Sequence, residues 1–151
     1  MKKALITIAL VLFLGISSFA QETKIAFGYG AELNMNAEYG VGGGAILCFD
    51  FAIFQQFALG LNVTLSGDDS YNAVLETAAM VRWYFYKGFF AEADVGLTIF
   101  SLRDDVMPRE FLAGLRAGYR LPFGKLFYVE GHVRVGYPFI FGAGAVVGLR
   151  K

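Results

Sequence analysis

Hydrophobic and polar residues alternate along this chain. In KIAFGYGAELNMN at 24–36, every odd position is apolar, whereas the even positions hold a lysine, a glutamate, two asparagines and small residues. A period of two places the two sets on opposite faces of a β-strand. Breaks rich in turn residues occur at 67–72, 87–88, 101–109 and 122–125. The pattern predicts eight strands, at 23–35, 39–51, 57–66, 73–86, 89–100, 110–121, 126–137 and 139–150.

Charged residues fall on only one face of these predicted strands. Two architectures fit such alternation: a soluble, lipocalin-like barrel with the apolar face inside, and a transmembrane barrel with the apolar face against lipid. In the first, a periplasmic carrier, the pocket would be lined by Phe27, Leu61, Val95 and Val133. The charged face holds thirteen residues: Lys24, Glu32, Asp50, Glu76, Arg82, Glu92, Asp94, Glu110, Arg116, Arg120, Glu130, Arg134 and Arg150.

The positions of glycine and of the aromatic residues favour the membrane barrel. Thirteen glycines lie on the charged face, and only Gly43 and Gly131 lie on the apolar face. Glycine weakens a water-facing strand, but the narrow interior of an eight-stranded barrel has room for little side-chain volume. Aromatic residues of the apolar face gather at strand ends, as in the two girdles of membrane barrels. One girdle comprises Phe49, Phe51, Phe57, Trp83, Phe85, Phe89, Tyr119 and Phe127, and the other Tyr39, Phe111, Tyr137 and Phe139.

The first twenty residues have the three parts of a secretory signal peptide. Lys2 and Lys3 precede an apolar run at 4–14, and the small residues Ser18 and Ala20 predict cleavage after Ala20. The alternative is a membrane-anchoring helix, but the uncharged stretch is near the lower length limit for spanning a bilayer. The sequence thus predicts a signal peptide at 1–20 and a single barrel domain at 21–151.

Composition argues against several other classes of protein. Cleavage would leave 11 basic and 13 acidic residues, without the basic patch that nucleic-acid binding needs. Cys48 is the sole cysteine, so a disulfide framework and a multi-cysteine zinc site are excluded, and we expect a small buried filler there. The glycine-rich segments at 40–45 and 142–148 lack the helix that follows a phosphate-binding loop. We therefore expect no cofactor and no metal.

The charged face predicts an ion-paired barrel interior, because buried charges are costly unless they pair. The turn at 87–88 implies that Arg82 faces Glu92 or Asp94. The turn at 122–125 implies that Arg116 lies near Glu130. The predicted interior network comprises Glu76, Arg82, Glu92, Asp94, Arg116, Arg120, Glu130, His132 and Arg134.

The sole histidine is expected to belong to this network rather than to a catalytic centre. Some outer-membrane enzymes are barrels with a Ser–His–acid set. Here the candidate nucleophiles, Ser66 and Ser101, lie at strand ends, and nothing in the sequence places either near His132.

This pattern resembles that of the small eight-stranded outer-membrane barrels of the OmpA, OmpX and OmpW type, over the whole chain after residue 20. The last strand, FIFGAGAVVGLRK at 139–151, is similar to the C-terminal insertion signal of such barrels. The resemblance implies an all-β, antiparallel, up-and-down barrel in the outer membrane of a Gram-negative-type bacterium, with both termini periplasmic. It implies two partners, outer-membrane lipid and the barrel-assembly machinery. It also implies lipid-interface roles for Phe49, Phe57, Trp83, Phe85, Phe89, Tyr119 and Phe127.

The function expected from these features is non-enzymatic, in envelope structure or surface interaction, with a closed, salt-bridged interior. One alternative is the passage of small apolar solutes across the outer membrane, as in OmpW, which a lateral gap between strands would favour. Another is a lipid-modifying enzyme that depends on His132. The surface ligand is not specified by the sequence.

The two orientations of the apolar face predict different behaviour on refolding. We expect residues 21–151 to fold only with detergent, and the folded band to shift on boiling in gel electrophoresis, because the apolar exterior of a membrane barrel needs an amphiphile to cover it. The matched sample is the same chain refolded in aqueous buffer. A soluble, folded monomer in that sample would place the apolar face inside.

Overall fold

The computed structural model describes residues 24–36, 40–68, 73–101 and 109–151. The predicted signal peptide and its cleavage site, the girdle residue Tyr39 and most of the segments 67–72 and 101–109 lie outside the described residues. Within the described part of the chain, no helix is long and apolar enough to cross a membrane.

Eight antiparallel strands form one closed barrel in which every strand pairs with its neighbours in sequence. The strands β1 and β8 pair with each other from Ala26–Arg150 to Met35–Phe141 and close the sheet. This confirms the all-β, eight-stranded antiparallel architecture. The strands are β1 (Ile25–Asn36), β2 (Gly40–Ala52), β3 (Phe57–Asp68), β4 (Ala73–Tyr86), β5 (Phe89–Ser101), β6 (Arg109–Phe123), β7 (Phe127–Tyr137) and β8 (Phe141–Arg150).

The barrel has its apolar face outside. Residues that would line a lipocalin-like pocket, such as Leu61 and Val95, are 57% and 54% exposed on the outer surface. The glutamates and arginines of the alternating pattern lie inside instead, where Arg82 and Glu32 are fully buried. The alternative of a carrier with an apolar interior is therefore wrong, because the interior is already filled by charged side chains.

The hairpin between β6 and β7 turns later than the sequence suggested. The two strands stay paired as far as Phe123 and Phe127, and Gly124 takes a φ of 68°, a conformation that glycine adopts readily. This register sets Arg120, not Arg116, opposite Glu130. The predicted proximity of Arg116 and Glu130 is wrong because the turn lies beyond Pro122 rather than including it.

Two residues at strand ends depart from the predicted faces. Phe139 precedes β8 and is only 4% exposed, with its ring centroid 6.3 Å from that of Phe100 inside the barrel. The chain turns inward after Pro138, so Phe139 covers the interior and is not part of the outer girdle. Lys24 precedes β1 and is exposed rather than interior.

Some interior glycines mark places where backbones approach closely. A Cβ atom added to Gly96 of β5 would collide with the Thr77 carbonyl oxygen of β4 and would lie 2.7 Å from the Ala78 Cα atom. A Cβ atom added to Gly131, on the outer face of β7, would meet nothing within 4 Å. An added methyl group would therefore be crowded at position 96 and free of close contacts at position 131.

We predict that Gly96→Ala lowers the free energy of unfolding by about 1–3 kcal/mol, the usual range for overpacking. The matched control, Gly131→Ala, should cost nothing measurable, because its methyl group enters open space. Urea titration of each detergent-folded variant, followed by the boiling-dependent gel shift, measures the difference. Equal stabilities for the two variants would contradict the close approach of β4 and β5.

Candidate functional site

One cluster of buried ions, the Arg82 cluster, is formed by Asp50, Arg82, Glu92, Arg120 and Glu130. Arg82 binds Glu92 at 2.7 Å and makes a bidentate contact with Glu130, at 2.8 and 3.1 Å. Arg120 binds Asp50 at 2.6 Å and Glu130 at 2.8 Å. Two guanidinium groups thus bridge three carboxylates drawn from β2, β5 and β7.

Aromatic rings enclose this cluster from the end of the barrel where the chain termini lie. The guanidinium carbon of Arg82 lies 4.0 Å from the ring centroid of Phe90, and that of Arg120 lies 4.2 Å from that of Tyr128. Arg82 also donates a hydrogen bond of 3.2 Å to the hydroxyl of Tyr84. Such stacking favours desolvated guanidinium groups over ammonium groups, which explains arginine at both positions.

A second cluster, the Glu32 cluster, is formed by Glu32, Glu76, Arg116, His132 and Arg134. The Glu32 carboxylate contacts three cationic or donor groups: Arg134 at 3.1 Å, Arg116 at 3.2 Å and His132 Nε2 at 2.9 Å. Arg134 also holds Glu76 in two hydrogen bonds, of 2.6 and 3.1 Å. Because an ionised Glu32 can only accept, Nε2 of His132 is the donor in this contact.

The two clusters are joined into one network. Arg116 reaches Glu92 at 3.5 Å, and His132 Nδ1 lies 3.9 Å from Glu130. Asp94 lies 3.9 Å from Arg116 at the edge of the Glu32 cluster. Four arginines and six carboxylates therefore share one buried network, in which charge-assisted hydrogen bonds offset the cost of desolvation.

Apolar side chains cover the network at both ends of the barrel. At the end with the termini these are two groups of buried residues, one containing Tyr84 and Phe90 and the other containing Ala26 and Tyr128. At the opposite end, Val74, Phe100 and Phe139 form a third buried group. Charged side chains therefore fill the centre of the described interior, and buried aromatic rings lie toward each of its ends.

Interior glycines provide the space for the largest interior side chains. A Cβ atom on Gly118 would lie 2.6 Å from the Phe90 ring, and one on Gly144 would lie 2.7 Å from Nε2 of His132. Gly28 and Gly148 face the ring of Tyr128 in the same way. Glycine on one strand therefore matches a large residue on another, as the limited volume of an eight-stranded barrel requires.

All nine residues of the predicted network are buried, and the structure brings Arg82 and Glu92 together as cross-strand partners. Two members, Glu32 and Asp50, were assigned to the charged face but not to the network. They come from β1 and β2, and only closure of the sheet brings these strands beside the arginines of β6 and β7. Cys48 is a small buried neighbour of Ile46 and Tyr128.

Within the described residues, His132 contacts Glu32, and neither candidate serine lies on a strand next to β7. Its Nε2 lies 2.9 Å from the Glu32 carboxylate. Ser66 lies on β3, four strands from His132 in either direction around the barrel, and Ser101 is exposed. Among the described residues, no group of three or more histidine, cysteine or acidic side chains could hold a metal ion.

The outer aromatics form a row of ring contacts around the end with the termini. Phe57 stacks on Trp83, Trp83 contacts Phe85, Phe85 stacks on Phe89, and Phe89 lies 4.6 Å from Tyr119 between ring centroids. Phe49 and Phe127 are exposed at the same end of β2 and β7.

Removing the charge of Arg82 should strongly destabilise the barrel. We predict that Arg82→Met lowers the free energy of unfolding by about 3–5 kcal/mol, because Glu92 and Glu130 lose a buried partner. Arg109→Met, at an exposed strand end, is the matched control and should change stability little. Urea titration in detergent compares the two; equal stabilities would show that the network contributes nothing to folding.

Comparison with known proteins shows similarity in structure only. No protein-family model and no curated protein matches the sequence. The N-terminal β-barrel domain of Pseudomonas aeruginosa OprF matches with a TM-score of 0.55 and 16% identity, covering 87% of this chain and 99% of that domain. Neisserial surface protein A matches at 0.58 and 9% identity, with 87% and 97% covered. A de novo designed transmembrane β-barrel matches at 0.57 and 14% identity, with 87% and 99% covered. The chain therefore has the fold of the small eight-stranded outer-membrane barrels.

Proposed function

We propose that this chain is a non-enzymatic, integral outer-membrane protein that acts in envelope structure or in surface interaction. The observation that carries the proposal is the filled interior. Four arginines and six carboxylates occupy the middle of the barrel and apolar side chains cover both ends. An interior of this kind serves as a plug and leaves the rim and the outer wall as the functional surfaces.

Location in the outer membrane is supported by the outer surface and by the structural neighbours. The described strands have 10 to 15 residues, long enough to cross a bilayer at the tilt of a barrel. Exposed Leu, Val and Phe side chains cover their outer face. Export through the signal peptide at 1–20 and insertion by the barrel-assembly machinery complete the proposal.

Passage of small apolar solutes is the second candidate. The ladder between neighbouring strands is continuous around the described barrel, from the β1–β2 pair to the β1–β8 pair. A lateral exit would require two strands to separate. This continuity counts against the second candidate and favours the closed plug.

A conductance measurement tests the closed interior. We expect no discrete current steps when the refolded protein is added to a planar bilayer, because the Arg82 and Glu32 clusters fill the described interior. An open general porin provides the positive control, and proteoliposome swelling with small sugars checks the result without a voltage. Stable unitary current steps, or swelling as fast as that of the porin, would show that the barrel is an open channel and would contradict the closed interior.

The non-enzymatic part of the proposal has its own test. Liposomes that contain the refolded protein should release fatty acid at the same low rate whether position 132 is His or Ala. A release rate that falls on His132→Ala, while the boiling-dependent gel shift is retained, would support the lipid-modifying alternative.

A further inference from the structure

The outer wall of the barrel is indented at one place. Phe89, Tyr119 and Gly131 are in register on β5, β6 and β7, and a Cβ atom on Gly131 would meet nothing within 4 Å. Phe85 and Val133 complete the sides of a groove of about 580 Å³. The missing side chain at Gly131 thus leaves a depression beside an aromatic wall on a surface that faces lipid.

The space beside Gly131 is not a general property of outward glycines. At Gly43, also on the apolar face, the Leu33 Cδ2 atom lies 3.0 Å from the position of an added Cβ. Glycine lowers strand stability and has no packing role where its neighbourhood is empty. The indentation at Gly131 is therefore a feature of the surface and not of the packing between strands.

The end of the barrel nearest this groove is basic. Among the described residues, the turns at 53–56, 87–88 and 124–126 and the flanking Lys24 and Lys151 at this end contain no acidic side chain. The cations of the basic end are Lys24, Lys87, Lys125, Arg150 and Lys151.

One of these cations lies next to an aromatic wall of the groove: Lys87 Nζ is 5.3 Å from the ring centroid of Tyr86, which stacks on Phe89. Lys87 lies in the two-residue turn between β4 and β5, two residues from both Phe85 and Phe89. The carbonyl oxygen of Gly88 accepts a hydrogen bond of 2.9 Å from the amide of Arg120, which holds this turn against β6. The turn that carries this positive charge is thus held beside the groove, at the expected level of lipid headgroups.

We propose that this groove binds one anionic glycerophospholipid, with an acyl chain against Gly131 and Tyr119 and the phosphate beside Lys87. The inference rests on the membrane insertion in the proposed function. Burial of an acyl chain gives no preference by itself, since every lipid surrounding the barrel is equally apolar. Selectivity comes from the headgroup charge at Lys87 together with the shape of the groove, and about fivefold is the size expected for one lysine near an anionic surface.

The single tryptophan allows a direct test, because Trp83 contacts Phe85, which lines the groove. The protein is reconstituted in phosphatidylcholine vesicles that contain increasing fractions of brominated phosphatidylglycerol or brominated phosphatidylcholine. Bromine quenches tryptophan fluorescence on contact. We expect the anionic lipid to be preferred about fivefold over the zwitterionic lipid near Trp83.

Two variants remove the site and two matched variants leave it intact. Gly131→Leu fills the groove and Lys87→Asn removes the charge with a residue that tolerates the positive φ of 34° at this turn. Both should reduce the preference to about onefold. Ala79→Leu, elsewhere on the outer face, and Lys24→Asn, just before β1 and not on a strand of the groove, should keep it.

Three outcomes would overturn the proposal. Equal quenching by both lipids in the unaltered protein excludes a selective site. A preference that survives Gly131→Leu excludes the groove, and one that survives Lys87→Asn assigns the effect to the basic end as a whole. Gly131→Val replaces the leucine variant if that variant lacks the boiling-dependent gel shift. Loss of the shift in the unaltered protein would instead contradict membrane insertion, so the two failures are distinguishable.

Discussion

The charge pairing inside a barrel of only eight strands is the constraint on which the rest of this structure depends. The alternating pattern puts carboxylates and guanidinium groups into a space with little room for solvent. Each must find partners among the others, because an unpaired buried charge costs several kcal/mol. The contacts of Arg82 with Glu92 and Glu130, and of Glu32 with Arg116 and Arg134, satisfy this requirement.

Size complementarity inside the barrel follows from the same constraint. Arginine, tyrosine and phenylalanine side chains reach far across a narrow interior, so the wall they approach must be thin. Glycine, which has no side chain, leaves the space that Tyr128 and His132 occupy. The many glycines and the many aromatic residues in the composition are therefore related, because large interior rings pack against strand positions that have no side chain. Most of the described aromatic residues that do not enter the interior, such as Phe57, Phe89 and Phe127, lie on the outer surface near the strand ends.

Most of the fold could be predicted from the sequence, because the period-two pattern fixes the faces of a strand and the strands follow one another in order. The partners in the site were harder to predict. Arg82 and Glu92 flank a two-residue turn, which sets their register locally. The pairing of Arg120 with Glu130 depended on where a longer turn was placed, and a shift of a few residues exchanged Arg120 for Arg116. Contacts of Glu32 depend on closure of the sheet, which no local pattern shows. Phe139 was misplaced because the chain bends after Pro138.

The Glu32 contacts have a consequence for the order of assembly. Glu32 is 84 residues from Arg116 and 102 from Arg134 along the chain. In the barrel, β8 lies between β1 and β7, and at this level it presents the glycines Gly142 and Gly144 to the interior. Glu32 therefore meets the arginines of β6 and β7 only once the last strand has docked against the first, whereas Arg134 and Arg116 also have Glu76 and Glu92 as partners. In an open sheet, Glu32 would be separated from both arginines. Closure of the seam between β1 and β8 and the pairing of Glu32 with these arginines are therefore one event.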